Sequence, residues 1–209
     1  MSILFATPMF GGFCHERYFQ SSLRTAIEMT KLGVEFDWLT ERNESLVHRA
    51  RMEMTATFLR RKEFTHLFWI DGDIEFESEH VAALWNLQAD IACGVYAMKK
   101  PDKQWFAAWK DGELVKDLDR FDGRPTEVDF CGTGFLLIRR EVIEALAAKV
   151  EKWEGVNGPV PALFMTPIHN GVLESEDYHF CRIAREAGYK IMMDPTVRLR
   201  HWGQFAYGA

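Results

Sequence analysis

The sequence has no long hydrophobic run. Its most apolar stretches, such as 67–70 and 135–138, span only a few residues, whereas a helix that crosses a bilayer needs about 18 or more. The first residues also lack the positive segment and the extended apolar segment of a secretory signal peptide. We therefore predict a protein with no membrane span.

Cysteines are few and dispersed. The four of them, Cys14, Cys93, Cys131 and Cys181, form no C-x-x-C pair. This spacing, together with the absence of a signal peptide, predicts reduced thiols and a cytoplasmic location.

Positive charge is not in excess either. The 25 Lys and Arg residues are outnumbered by 31 Asp and Glu residues, which gives a formal net charge of −6. A protein with no basic field is not expected to bind nucleic acid, and any anionic ligand must be held by a local site. No repeat, low-complexity run or linker divides the chain, so we predict one domain over residues 1–209.

Hydrophobic periodicity alternates along the chain between strand-like and helix-like segments, which predicts an α/β fold. Strand–helix–strand units of this length need crossover connections, and these favour a mainly parallel central sheet flanked by helices. The predicted strands are 3–6, 34–39, 65–70, 90–98, 128–138, 189–193 and 197–201. A small hairpin is predicted around 111–112.

The same periodicity predicts which helix faces are buried and where helices begin. Phe19, Leu23, Ala26 and Ile27 recur at helical spacing, so this face of the first helix is expected to pack inward. A further helix is predicted over 140–150. The predicted N-caps of the other helices are Asn43, Ser78 and Ser175. The segment 153–173 carries three prolines and three glycines, which predicts a long surface loop that acts as a mobile lid.

A pair of acids follows an apolar strand at Asp71-Gly72-Asp73. Ligands of open α/β sheets collect beyond the carboxyl ends of the strands, and two carboxylates one residue apart can bind one divalent cation. Carboxylate oxygens favour Mg²⁺ or Mn²⁺, and these ions bind diphosphates. The alternative is a polar turn. His201 ends a later strand and is a candidate third ligand, although a lone histidine of this kind is also typical of a core.

Other polar groups have a functional and a structural interpretation. Glu176-Asp177 would supply a general base for an acceptor hydroxyl, or would only complement the dipole of a helix N-terminus. Arg49 and Arg51 would neutralise a diphosphate, or would be solvated charges flanking a helix. Gly132-Thr133-Gly134 would let a sugar approach the backbone, or would be a bulge.

These motifs occur in a characteristic order along the chain. The ordered set is Thr7-Pro8, Arg49-Ala50-Arg51, Asp71-Gly72-Asp73, 131–140, 174–178 and His201-Trp202-Gly203. It resembles the GT-A-fold glycosyltransferases, specifically the inverting, family-two-like nucleotide-sugar transferases, over almost the whole chain. Some small viral and phage transferases are similar in length and layout.

The resemblance implies a Rossmann-like GT-A fold with a nucleotide-sugar-binding half over 1–98 and an acceptor-side half over 99–209, which includes the loop 153–173. It also implies a role for each motif. Asp71 and Asp73 would bind the metal and the nucleotide sugar, with His201 as a further metal ligand. Thr7 and Pro8 would lie against the nucleoside, and Gly132 to Gly134 would border the donor sugar and the acceptor. Asp177 would be the general base, with Glu176 beside it. Arg51 matches an Ala-Arg-Asn segment, in which Met52 replaces the asparagine.

The resemblance further implies a direct displacement at the anomeric carbon with Mn²⁺ or Mg²⁺ as cofactor. The expected donor is a nucleoside-diphosphate sugar, first of all a UDP-sugar, and the expected acceptor is a hydroxyl of a glycan or glycoprotein. If the protein is viral, its cytoplasmic location would be that of the host.

Two other functions are compatible with the motifs. Asp-x-Asp phosphatases also place two aspartates after an apolar strand, with the first as nucleophile, but they usually have Thr or Val where this chain has Glu75. A non-catalytic nucleotide-sugar-binding module would keep the acids without turnover.

Overall fold

A computed structural model describes residues 2–100, 105–203 and 206–207. Its helices are α1 (Glu16–Lys31), α2 (Val47–Arg60), α3 (Ser78–Asn86), α4 (Arg140–Ala147) and α5 (Glu176–Glu186). Its strands in the first half are β1 (Ser2–Pro8), β2 (Glu35–Glu41), β3 (His66–Ile70), β4 (Ile74–Glu75) and β5 (Ile91–Tyr96). The strands that follow are β6 (Ala108–Lys110), β7 (Glu113–Leu114), β8 (Thr126–Val128), β9 (Phe130–Cys131), β10 (Phe135–Arg139), β11 (Lys152–Gly155), β12 (Gly158–Pro161), β13 (Ile168–His169), β14 (Val172–Leu173), β15 (Ile191–Trp202) and β16 (Ala206–Tyr207).

The central sheet has the order β16-β15-β5-β10-β3-β1-β2, with β4 and β8 also paired to β15. β1 pairs in parallel with β2 and β3, and β5 pairs in parallel with β15. β10 lies between β3 and β5 and is antiparallel to both. β5 and β10 are connected by an irregular segment and a short hairpin rather than by a crossover helix. Two antiparallel strands can be connected in this way. The predicted α/β class with a mainly parallel central sheet is confirmed for the core of the sheet, where β10 is the exception; the short strands β4, β8 and β16 are also antiparallel to β15.

Helices cover both faces of this sheet. Leu4 and Ala6 of β1 belong to a core cluster shared with α2, α4 and α5, while Ile3 and Phe5 belong to a second cluster shared with α1 and α3. This alternation follows from the two-residue period of a strand. Because β1, β3, β5 and β15 run in the same direction, the residues that follow them meet at one edge of the sheet.

The buried face of α1 differs from the prediction. Phe19, Leu23 and Ile27 are 59%, 51% and 48% exposed. The residues of α1 that are buried instead are Tyr18, Ser21, Thr25 and Met29. Two of them bond groups on other elements: the Tyr18 hydroxyl bonds the side chains of Thr7 and Trp38, and the Ser21 hydroxyl accepts the Phe76 amide. Hydrophobicity alone therefore predicted the wrong face, because long-range hydrogen bonds decide which face of α1 is buried.

None of the five helices in the described ranges is long and apolar enough to cross a membrane.

The segment 153–173 is not the continuous surface loop that its composition predicted. It forms the two hairpins β11–β12 and β13–β14. Val160, Leu163 and Phe164 are fully buried, whereas Ile168 and Val172 of the second hairpin are mostly exposed. The prolines and glycines form turns and strand ends here, and the first half is part of the core, so a lid over the whole segment is excluded.

Two predicted N-caps are also corrected. Asn43 has a φ of 69° outside α2, whose N-cap is Leu46. Ser78 is the first residue of α3, and Glu77 before it caps the helix through reciprocal bonds with His80. The Glu77 amide donates to Nδ1 of His80 at 3.2 Å, and the His80 amide donates to the Glu77 backbone carbonyl at 3.0 Å.

Near the C-terminal end of the chain, the two strands predicted over 189–193 and 197–201 form the single strand β15. Its pairing with β5 shifts register between Met193 and Arg198, and this bulge produced the break in the pattern. α4 ends at Ala147 rather than at 150. The predicted hairpin around 111–112 and the Ser175 N-cap are confirmed.

Candidate active site

An open cleft of about 540 Å³ lies at the edge of the sheet where β1, β3 and β15 end. Asp71, Asp73 and Lys99 line it, and Pro8 and Trp202 are also among its lining residues. The aromatic side chains of Phe10 and Phe13, which are 69% and 82% exposed, complete its apolar part. The carboxyl ends of parallel strands thus place acids and a flat apolar surface in the same cleft, as in other open α/β sheets.

Asp73 is held at the cleft by β15 and by the segment after β5. Its backbone carbonyl accepts the Trp202 amide at 2.8 Å. The Lys99 ammonium group donates to Oδ2 of its carboxylate, and Nε2 of His201 lies 3.4 Å from Oδ1. Burial of Asp73 opposes its ionisation, but the neighbouring His201 and Lys99 outweigh burial and lower the pKa of Asp73 to about 2. Asp73 is therefore negatively charged throughout the physiological pH range.

The geometry of His201 bears on metal binding. Its Nδ1 lies 2.9 Å from the Ala97 carbonyl oxygen, so Nδ1 carries the proton and donates it there. The protonated ring lowers the pKa of Asp73, whereas in the neutral ring the lone pair of Nε2 faces Oδ1 of Asp73, a buried oxygen. A carboxylate oxygen and an imidazole nitrogen placed in this way fit a divalent cation such as Mn²⁺.

Asp71 is the third predicted metal ligand, but its carboxylate is directed elsewhere. Its Oδ1 accepts a hydrogen bond from Nη2 of Arg51 at 2.8 Å. Over residues 2–100, 105–203 and 206–207, no three Asp, Glu, His or Cys side chains are grouped closely enough to hold a metal ion alone. Asp73 and His201 are the pair that the structure brings together.

Arg51 links the two acidic motifs. Its side chain is only 3% exposed, and its Nε lies 3.5 Å from Oε1 of Glu176. The guanidinium group also lies 5.3 Å from the centre of the Trp69 ring. Burial lowers the pKa of Arg51, but Asp71 and Glu176 raise it by more, so the group stays charged. Arg51 therefore contacts one acid from each predicted pair and acts on the cleft through Asp71.

The alternative in which Arg51 is a solvated charge that flanks its helix was wrong. It lies four residues after Val47, three before Met54 and seven before Phe58, which is the spacing of one helical face. That face is buried from Ala50 onward. Its periodicity was therefore a signal for the buried position, although an arginine is almost never fully buried unless it is paired.

Arg49 and Thr7 lie differently from the cleft residues. Arg49 is exposed and pairs with Glu44 at 2.7 Å, outside the lining of the cleft. The Thr7 side chain is fully buried, and its hydroxyl lies 2.5 Å from that of Tyr18. At the end of β1, Pro8 is the residue that lines the cleft.

The turn at Gly132-Thr133-Gly134 packs against Tyr96. A Cβ atom on Gly132 would lie 2.1 Å from the Tyr96 hydroxyl oxygen, which in turn accepts the Gly134 amide at 3.0 Å. The Gly134 carbonyl accepts the Asp71 amide at 3.0 Å. The close approach that these glycines permit is therefore that of a tyrosine ring, and the turn positions the backbone of Asp71.

Gly132→Ala is expected to destabilise the protein by about 3 kcal/mol, because an added methyl group must displace a buried ring. Urea unfolding of the variant would measure the loss. Adding Tyr96→Phe removes the nearest atom and should recover part of it, as a double-mutant cycle would show. A loss below about 1 kcal/mol in the single variant would contradict this packing argument.

Glu176 and Asp177 form the first turn of α5. Oδ1 of Asp177 accepts hydrogen bonds from the Ser175 hydroxyl and from the Tyr178 amide. Within the described ranges, no hydrogen bond engages its Oδ2. Burial raises the pKa of Asp177, and Glu176 also raises it. Asp177 thus combines an uncommitted oxygen with increased basicity, which suits a proton acceptor.

Two residues of the site were missed by the sequence analysis, namely Lys99 and Tyr96. Lys99 follows the end of β5 and lines the cleft. The rule that directed attention to Asp71 after β3 applies equally to Lys99 after β5, but the surrounding sequence is irregular. Tyr96 is buried in the strand itself, and only its neighbours in space reveal its role.

No protein-family model matches the sequence, and no match was found among curated protein sequences. Among solved structures, the chain is similar to A197 from STIV, with 22% identity and a TM-score of 0.60 over 97% of this chain and 86% of that one. It is also similar to the catalytic domain of Drosophila beta1,4galactosyltransferase 7, with 12% identity and a TM-score of 0.49 over 92% of this chain and 64% of that one. A third is the inositol-1-phosphate CTP transferase from T. maritima, with 12% identity and a TM-score of 0.44 over 92% and 84%. The likeness to A197 shows a shared fold, and the structures similar to this chain include a glycosyltransferase and a nucleotidyltransferase.

Proposed function

We propose that the protein is a metal-dependent, inverting GT-A glycosyltransferase. It moves a sugar from a nucleoside-diphosphate sugar to a hydroxyl of a glycan or glycoprotein. The first candidate for the donor is a UDP-sugar. The observation that carries this proposal is the buried Arg51, which contacts Asp71 of one acidic pair and Glu176 of the other. Two acidic motifs far apart in sequence are thereby joined through one buried arginine, and Asp71 of the first motif lines the cleft.

The donor side of this proposal uses the cleft at the sheet edge. Asp73 and His201 would hold Mn²⁺ or Mg²⁺, because a carboxylate oxygen and an imidazole nitrogen that face each other at 3.4 Å are suitable ligands for one such ion. A bound cation would stabilise the charge that develops on the leaving diphosphate. Asp71 lines the cleft with its Oδ1 held by Arg51, and the other carboxylate oxygen would accept hydrogen bonds from donor hydroxyl groups.

The nucleoside would lie on the apolar part of the cleft. Phe10 and Phe13 are exposed beside Pro8. Exposed aromatic rings offer a flat surface on which a base stacks, and stacking of this kind tolerates different bases. The cleft therefore supports nucleotide binding without selecting the base.

The acceptor side of the proposal lies at the start of α5. Asp177 removes the proton from the acceptor hydroxyl as the oxygen attacks the anomeric carbon, and the bond from that carbon to the diphosphate breaks. Ser175 and the Tyr178 amide orient the carboxylate by holding its Oδ1. Glu176, next to Arg51, keeps the positive charge of Arg51 near the site and has a supporting role.

A donor screen tests the proposal. UDP-, GDP-, TDP- and CMP-sugars are added with and without Mn²⁺, and the melting temperature is measured, because a ligand that binds only the native state must raise it. We expect Mn²⁺-dependent stabilisation by one of the nucleoside-diphosphate sugars, followed by release of its nucleoside diphosphate when acceptor is present. Stabilisation without turnover would indicate a binding module, and release of phosphate from a simple phosphomonoester would indicate a phosphatase.

A further inference from the structure

We propose that Lys99 is an exchangeable cation of the donor site. Without donor, its ammonium group neutralises Asp73. When a divalent cation binds at Asp73, the ammonium group moves to the diphosphate of the donor. This inference rests on the proposed function and adds to it a residue that couples metal binding to nucleotide binding.

Two contacts position the Lys99 side chain at the site, one of its ammonium group and one of its aliphatic chain. Its ammonium group donates to Oδ2 of Asp73. Its aliphatic chain passes Gly203, where a Cβ atom would lie 3.4 Å from Cδ and 3.6 Å from Cε of the lysine. The side chains of Lys99 and Asp73 are 37% and 35% exposed. Lys99 is therefore guided into the cleft along Gly203, but its charged end stays accessible to a ligand.

The arrangement of charges requires Lys99 to move when a cation binds. A divalent ion between Asp73 and His201 would lie beside the ammonium group, since both bind the same carboxylate. Like charges at this separation repel, and the repulsion is strongest where water is partly excluded. A diphosphate in the cleft supplies the negative charge that accepts the displaced ammonium group, so the metal and the nucleotide should bind cooperatively.

Lysine is suited to such an exchange, and a comparison with Arg51 shows why. Arg51 is buried and fixed between Asp71 and Glu176. Lys99 has a flexible four-carbon chain and a compact charge that can be redirected without a fixed hydrogen-bonding plane. Lys100 does not duplicate this role, because its ammonium group lies over the Trp105 ring at 4.7 Å.

Binding measurements on Lys99→Met test the exchange. Titration with Mn²⁺ alone should give about 5- to 10-fold tighter binding than in the wild type, because the competing cation is gone. Titration with UDP at saturating Mn²⁺ should give about 5- to 10-fold weaker binding, because a diphosphate contact is lost. Opposite changes in two affinities are not what a merely structural residue would produce. Lys190→Met is the matched control: this exposed lysine pairs with Glu127, and its removal should leave both affinities unchanged.

Three outcomes would overturn the inference. Both affinities unchanged in Lys99→Met would show that Lys99 does not act at the site, and both weakened would show that it only supports the fold there. Equal binding of UDP with and without Mn²⁺, lost in the variant, would show that Lys99 replaces the metal rather than exchanging with it. If the wild type binds no nucleoside diphosphate in the donor screen, the proposed function fails instead, and the Mn²⁺ titrations alone decide whether Lys99 competes for a cation site.

Discussion

Asp73→Asn is expected to lower the rate of sugar transfer by about 10²- to 10³-fold and to abolish the Mn²⁺ dependence of donor binding. Asparagine keeps the size of the side chain and opens no cavity, but it removes the charge that would hold the cation. In the wild type Asp73 is ionised near neutral pH, because His201 and Lys99 outweigh burial and lower the pKa of Asp73 to about 2. Steady-state kinetics and thermal shift with the donor identified in the screen would measure both effects.

Asp111→Asn is the matched control for this variant. Asp111 lies in the exposed turn between β6 and β7 with a φ of 55°, which asparagine adopts readily. The control should keep wild-type turnover. Undiminished Mn²⁺-dependent binding and turnover in Asp73→Asn itself would refute the assignment of the cleft as the donor site.

The same variant is expected to change how stability depends on pH. A carboxylate whose pKa is lowered by folding adds stability above its unfolded value of about 3.9, and this stability is lost as the pH falls toward the folded value. For Asp73 the folded pKa is about 2, so the loss occurs between about pH 4 and pH 2. Urea unfolding at pH 6 and pH 2.5 should show a larger loss in the wild type than in Asp73→Asn.

Asp177→Asn is expected to lower the transfer rate by about 10²-fold or more while donor affinity stays nearly unchanged. The amide keeps the shape of the side chain but cannot accept the proton. Because burial raises the pKa of Asp177, the wild-type kcat should rise with pH through a value above that of an exposed aspartate, as the carboxyl group ionises. A profile of kcat against pH for the wild type and the variant would check this.

Glu176→Gln separates the two acids of α5. Glu176 lies next to Arg51, so its loss should disturb the positioning of that charge with a smaller effect on rate than Asp177→Asn. A rate loss of about 10²-fold in Glu176→Gln, with normal turnover in Asp177→Asn, would assign the base to Glu176. Weakened donor binding with unchanged turnover in Asp177→Asn would place Asp177 on the donor side.

Much of the fold was predictable because local periodicity determines which segments form strands and helices. β3 and α5, for example, follow directly from an apolar run and a serine-capped amphipathic segment. The inward face of α1 was not predictable, since its buried polar groups form hydrogen bonds with residues on other elements, such as Thr7 and Phe76. The antiparallel direction of β10 depends on the path of the irregular segment before it, which periodicity does not describe.

For the site, the position of acids at strand ends predicted which side chains approach the cleft. Asp73 and His201 meet there, as expected from the ends of β3 and β15. The burial of each side chain was not predictable. The Thr7 hydroxyl lies in the core, and Arg51 is buried in contact with two acids. The role of Lys99 was not predictable, because it depends on a contact with Asp73, which is close to Lys99 in space but distant in sequence.

The position of β10 between β3 and β5 has a consequence for how the chain folds. β3 and β5 emerge from the ribosome well before β10, and β15, which completes the other side of β5, emerges later still. Pairings between such distant segments give a high contact order and slow folding, and until they form, β3 and β5 present open edges to other chains. His201 and Trp202 reach Asp73 only when β15 docks. The ability to bind a ligand at the cleft should therefore be among the last properties that a newly made molecule acquires.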